Sequence, residues 1–132
     1  MSTSVDIGAL AAHAAEYPLA YLITITAHER IHTSVVHPEI DARGVTVPGA
    51  SGKARANAGA HPEVSLVWPP ADPHGYSLIV DGTAHDRAAA GDAGAASDDL
   101  TIAPTRAILH RPAAEPSAPD AGDGCTQDCI EL

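Results

Sequence analysis

Phenylalanine is absent, and 132 residues include one Trp and three Tyr, so aromatic side chains cannot build the core. That role falls to Val, Ile, Leu and Ala. Cysteine is nearly as scarce. Cys125 and Cys129 are the two present, too few for a disulfide framework. Basic residues number 7 against 17 acidic ones, and a net charge of −10 argues against the phosphate-neutralising affinity of a general nucleic-acid binder. No uncharged apolar run reaches the ~18 residues of a membrane span. No basic segment leads into an apolar one at the N-terminus, so a soluble cytoplasmic protein without a signal peptide is expected. At roughly 100–200 residues per domain the length suits one domain, whose modest core would gain from dimerisation.

What is present is a series of short apolar runs. Val5 to Tyr17 carries Ile7, Leu10, Ala11 and Ala14 at helical spacing and stops at Pro18, which predicts a leading helix. Leu19–Thr26 and Ile31–Val36 are β-branched runs around a polar turn, Ala27–Arg30, and predict a hairpin. Pro38–Gly44 reads as a loop and Val45–Val47 as a short strand. Ser51 is placed to cap a helix from Gly52 to about Ala60, closed by Pro62. Val64–Trp68, Tyr76–Ala84 with a bulge at Gly82, and Leu100–His110 interrupted near Pro104 complete six strands. Pro69–Gly75 and Arg87–Asp99 read as loop and turn regions. From Pro112 the chain holds acidic residues and no Lys or Arg, which marks residues 112–132 as a solvated, disordered tail behind a folded body of residues 1–111. The expected fold is mainly β: a six-stranded split β-barrel with a leading helix and a short middle helix.

Four features carry possible chemistry. His28-Glu29-Arg30-Ile31-His32 fits the H-E-x-x-H zinc pattern, but that chemistry needs a helix and this segment lies between two β-branched runs. A polar turn is the better reading, and no metal is expected. Gly49-Ala50-Ser51-Gly52-Lys53 has the end of a phosphate-binding loop without its start, since position 47 is Val and position 54 is Ala. A capped helix start with Lys53 and Arg55 still suits an anion, and it equally suits an ordinary surface helix. Arg55 falls about 200° around a helix from Lys53, so both reach one phosphate only if Arg55 folds back. Trp68 either closes the core at a strand end, the favoured reading, or stacks on a flat ligand. Cys125 and Cys129 are four apart: free thiols in a tail, a reversible disulfide, or half of a metal site completed by a symmetry mate.

Tyr21 to Arg111 resembles the pyridoxamine 5′-phosphate oxidase-like family of FMN-binding split β-barrels. The elements run in the family's order. The pattern S-x-K-x-R-x-N, with Ser51, Lys53, Arg55 and Asn57, and the ending LTIAPTRAILHRP are similar to the small actinobacterial members. The resemblance implies a homodimer with two cofactor sites at its interface. It places the flavin phosphate on Ser51, Gly52 and Lys53, with Arg55 and Asn57 in the same motif. The strands Ile31–Val36 and Val45–Pro48, with Ser34, Val47 and Pro48, would line the ring and ribityl chain. The implied activity is an FMN-dependent oxidoreductase on a small-molecule substrate. The alternatives are a deazaflavin-dependent reductase or a non-enzymatic cofactor-binding dimer, since family members also bind deazaflavin or haem. Where the vitamin B6 oxidases carry a phosphate-binding Arg this chain has Ser34, and their C-terminal substrate segment has no counterpart, which argues against that substrate.

Overall fold

The computed structural model describes residues 2–86, 98–113 and 127–128. Its elements in chain order are β1 (Thr3–Ser4), a 3-10 turn (Ile7–Ala9), α1 (Leu10–Ala14), β2 (Ala20–Ile25), β3 (Ile31–Val36), β4 (Glu39–Asp41), β5 (Gly44–Val47), α2 (Gly52–Ala60), β6 (Glu63–Trp68), β7 (Ser77–Asp86), β8 (Leu100–Pro112) and β9 (Gln127–Asp128). The six expected strands are β2, β3, β5, β6, β7 and β8, and the mainly β split-barrel architecture is as expected. The main path of the sheet runs β3-β2-β6-β7-β8-β5-β4, with β1 and β9 both on β8. Its two ends, β3 and β4, are joined by only His37 and Pro38. A path whose ends are chain neighbours must curl on itself, and the gap between those ends is the split of the barrel.

Strict alternation explains which residues fill the interior. Along β2, Ala20, Leu22 and Thr24 face inward, opposite Leu66 on β6 and Val80 beyond it on β7. Val45, Val47, Leu100 and Ile102 close the core from β5 and β8. At the hairpin turn Glu29 adopts a left-handed backbone, φ 62°, and Thr26 accepts from the Glu29 N–H at 2.9 Å. The two helices plug opposite ends: α1 packs with Tyr17 near Trp68, and α2 lies on β2 and β7.

Three local expectations fail, each for a non-local reason. The leading helix is not one span. Asp6 accepts from the Gly8 N–H at 3.1 Å and starts a 3-10 turn, while Val5 is drawn into β-type pairing with Ala107 at 3.1 Å. Ile7, expected on the core face, is 44% exposed. The expected loop at 38–44 contains β4, paired with β5 through Glu39–Thr46, Ile40–Val45 and Asp41–Gly44. The last strand runs unbroken past Pro104. Its irregularity is a bulge: Asp81 pairs Arg106 and Gly82 pairs Pro104, leaving Thr105 over, whose hydroxyl donates to the Asp81 carbonyl at 3.1 Å. The bulge expected at Gly82 is thus present, and a Cβ at Gly82 would lie 2.6 Å from the Ala103 carbonyl oxygen. The turn region 87–97 and most of the acidic tail lie outside the described residues. Gln127–Asp128 pair with Pro112 and Arg111.

Candidate functional site

β5 leaves the sheet at Val47 and reaches α2 through Pro48, Gly49 and Ala50. Gly49 takes φ 63°, which glycine supplies without strain, and the Ala50 N–H is held by the Asp98 carbonyl at 2.9 Å. The turn therefore delivers Ser51 in an extended conformation, and its hydroxyl oxygen accepts from the Ala54 N–H at 3.1 Å. The Gly52 and Lys53 N–H groups have no acceptor among the described residues. They point out of the helix start with its partial positive charge.

Both basic residues of the motif are at this start. Lys53 is exposed. Arg55 folds back: its Nε donates to the Ala50 carbonyl at 3.4 Å, and a terminal nitrogen lies 3.9 Å from where a Cβ on Gly52 would sit. Arg55 thus turns back toward the helix start on which Lys53 stands. The Asp98 carboxylate shares this turn, 3.9 Å from where a Cβ on Gly49 would sit, so the two basic side chains stand beside one acidic group.

The remaining motif residues are placed differently. Pro48 is exposed beside the turn, whereas the Val47 side chain is in the core. Asn57, 6% exposed, turns inward and donates from Nδ2 to Thr24 Oγ1 at 3.1 Å. That bond ties α2 to β2. Ser34 lies on the inner face of β3, beside Leu22. The structure thus gathers Pro48, Ser51, Gly52, Lys53 and Arg55 on one surface, puts Val47 and Asn57 beneath it, and sets Ser34 on the edge strand. Sequence reading missed Thr24, a polar residue at an inward strand position whose partner is 33 residues away. It also gave His32, on the expected strand Ile31–Val36, no role beyond the apparent zinc pattern.

The other candidates resolve. His28 and Glu29 are in the β2–β3 turn and His32 is on β3, so the zinc pattern has no helix, and no group of three metal-binding side chains occurs among the described residues. Trp68 is 3% exposed, in the core, and forms the floor of a hollow of about 300 Å³ with Tyr17, Pro38 and Ile40. The Tyr17 hydroxyl donates to the Tyr76 carbonyl at 2.8 Å, and burial, then the nearby Glu16 carboxylate, pushes its phenol up. Cys125 and Cys129 lie outside the described residues. Among the described residues no helix is long and apolar enough to cross a membrane.

Known structures of the same architecture define the class. A Listeria innocua protein provisionally described as a pyridoxamine 5′-phosphate oxidase superposes with a TM-score of 0.60 at 12% identity, covering 78% of this chain and 96% of that one. HutZ, the heme storage protein of Vibrio cholerae, does so with a TM-score of 0.54 at 16% identity, over 76% and 91% of the two chains. The fold is the split β-barrel of the pyridoxamine 5′-phosphate oxidase-like proteins. No protein-family model matches the chain. By sequence the chain belongs to one family with the uncharacterized proteins Mb0449c of Mycobacterium bovis and MT0457 of Mycobacterium tuberculosis, each 44% identical over 96% of this chain and 93% of the relative.

Proposed function

We propose that the protein binds flavin mononucleotide at the split of its barrel and acts, as a homodimer, as a flavin-dependent oxidoreductase on a small molecule. The observation that carries this reading is the start of α2: two N–H groups without acceptors among the described residues, the Lys53 ammonium and the folded-back Arg55 guanidinium around a Ser51 cap. A phosphate dianion suits that set, because charge-assisted donors converge on it and the helix start favours negative charge. Ser51 keeps its hydroxyl proton to donate while its oxygen serves the cap. Ser34 and the β5–α2 turn would flank the ribityl chain and ring. A bound flavin would supply the redox chemistry; the chain's own part is to anchor the phosphate and fix the ring's orientation.

The homodimer is supported by the outer face of the hairpin. Ile31 is 77% exposed, Val35 55% and Tyr21 37%, and the pairing Tyr21–Val35 and Ile25–Ile31 puts all three on one side with Ile23 and Ile25. Large aliphatic residues so exposed on one sheet face favour cover by a second copy. Because β3 carries this patch outside and Ser34 inside, the covering chain would lie beside the split. The fold likeness to HutZ favours a second reading, a dimer that holds a cofactor without turning over a substrate.

The purified protein tests all of this. A yellow protein, or one that quenches the fluorescence of added FMN and runs as a dimer by light scattering, is the expected result. Absence of FMN binding defeats the flavin reading. Binding of deazaflavin instead moves the proposal to that cofactor, and binding without substrate-dependent bleaching favours the second reading.

A further inference from the structure

The outer face of the sheet is uneven from one side to the other. Its exposed large apolar side chains, Tyr21, Ile31 and Val35, all stand on β2 and β3. Over β6 and β7 the same face sinks into a hollow of about 360 Å³. Ser65, Asp81 and Thr83 line it, with Ile23 and Ile25 on the β2 side and Thr105 on the far side. One half of the face protrudes and the other half recedes.

The strand order β3-β2-β6-β7 puts the boundary between β2 and β6. The registers run level across it. Val35 pairs with Tyr21, Tyr21 with Val67 and Val67 with Ile79, one apolar rung across four strands. Two residues along, Thr33, Ile23, Ser65 and Asp81 make the next rung. Two further, the pairs Ile31–Ile25 and Glu63–Thr83 stand at the open end. A two-fold axis parallel to the strands and midway between β2 and β6 exchanges β3 with β7 and β2 with β6. It sets Val35 of one copy over Ile79 of the other, Tyr21 over Val67, Thr33 over Asp81, and Ile31 over Thr83 in the hollow. Sheets packed face to face stand about 10 Å apart, a gap that opposed large and small side chains fill. An isologous contact needs a surface that complements itself, and here the protruding half meets the receding half. The Asp81 carboxylate stays held when covered: Oδ1 accepts from the Ser65 hydroxyl at 2.8 Å and Oδ2 lies 3.8 Å from the Arg106 guanidinium. Charge does not oppose the contact. With Glu63 and Asp81 as its acids and Arg106 beside Asp81, this face is near neutral in a chain of net charge −10.

We propose that a second copy of the chain docks over β3-β2-β6-β7 about this axis, with Ile31 of each copy seated in the hollow of the other beside Thr83. The proposal rests on the homodimer part of the reading above. It adds the face, the axis and the residue pairs that meet.

Light scattering of the full chain at micromolar concentration tests this with exchanged charges. Ile31→Lys and Thr83→Glu each set a charge against an uncharged side chain of the other copy. Each should raise the dimer dissociation constant at least about 100-fold and so run as a monomer. An equimolar mixture of the two should recover the dimer. In the mixed pair the new ammonium meets the new carboxylate at one seat, while the other seat keeps its Ile31 and Thr83. Ile31 is 77% exposed, so its replacement leaves the fold intact. The inverse pair, Ile31→Glu with Thr83→Lys, repeats the test if Thr83→Glu does not fold. Ile7→Lys, which changes the exposed aliphatic residue beside α1, should remain a dimer. Single variants that stay dimeric, or a mixture that stays monomeric, overturn the inference and leave the homodimer to another contact. A parent protein that runs as a monomer overturns the inference and the homodimer together, and FMN quenching measured alongside decides the flavin reading separately.

Discussion

At the α1 end of the barrel Trp68, Leu10 and Leu78 are buried, and the polar contacts lie at the margin: Tyr17 donates to the Tyr76 carbonyl, and the Ser2 hydroxyl meets His110 Nδ1 at 3.4 Å. At the α2 end a buried amide meets a buried hydroxyl, Asn57 to Thr24, and the helix above them starts with Lys53, the folded-back Arg55 and N–H groups that have no acceptor among the described residues. The α1 end closes by removing apolar area from water, which is non-directional and tolerates shape change poorly but chemistry well. The α2 end buries only the small side chains Ala54 and Ala58 and adds a directional hydrogen bond that orients the helix. A plug that must hold a ligand anchor needs the second kind, since a small rotation of α2 would redirect Lys53.

The contrast gives distinct expectations for substitutions at the two ends. Trp68→Ala should cause the largest loss of stability, about 3–5 kcal/mol, read by denaturant unfolding. Asn57→Ala strands the Thr24 hydroxyl and should cost about 1–3 kcal/mol. Thr24→Val combined with Asn57→Leu should cost less than the sum of the single changes, because both partners of the buried bond are removed together. Ser51→Ala removes the cap of α2 and should cost about 1 kcal/mol, with weaker FMN binding beside it. The smallest effect belongs to pH at the α1 end. The Tyr17 phenol is raised by burial and by Glu16, so the protonated form is favoured by folding. Its contribution is complete below the unfolded phenol's range near pH 10 and is lost as pH rises through the folded value. Tyr17→Phe should flatten that alkaline decline in a melting-temperature profile.

The α2 end was more legible in the sequence than the α1 end. A cap is local chemistry, so Ser51 and Pro62 marked α2 at Gly52–Ala60 as observed, and the β-branched runs marked β3 at Ile31–Val36. The α1 end depended on distant residues: Val5 is taken by Ala107, and β4 exists because β5 offers it a partner. The candidate site was half legible. The motif residues Ser51, Gly52 and Lys53 follow from spacing at a helix start. The Thr24–Asn57 bond and the fold-back of Arg55 arise from a contact between distant elements and from the reach of a long side chain, which no local pattern encodes.

The central claim is that the start of α2 anchors a phosphate. Titration of the parent and Lys53→Ala with FMN, monitored by fluorescence quenching, tests it most directly. On that account the ammonium would make a charge-assisted bond worth roughly 1.5–3 kcal/mol, so Lys53→Ala should bind about 10- to 100-fold more weakly, with thermal stability near the parent's because Lys53 is exposed. A Lys53→Ala variant that binds FMN as tightly as the parent would contradict the account.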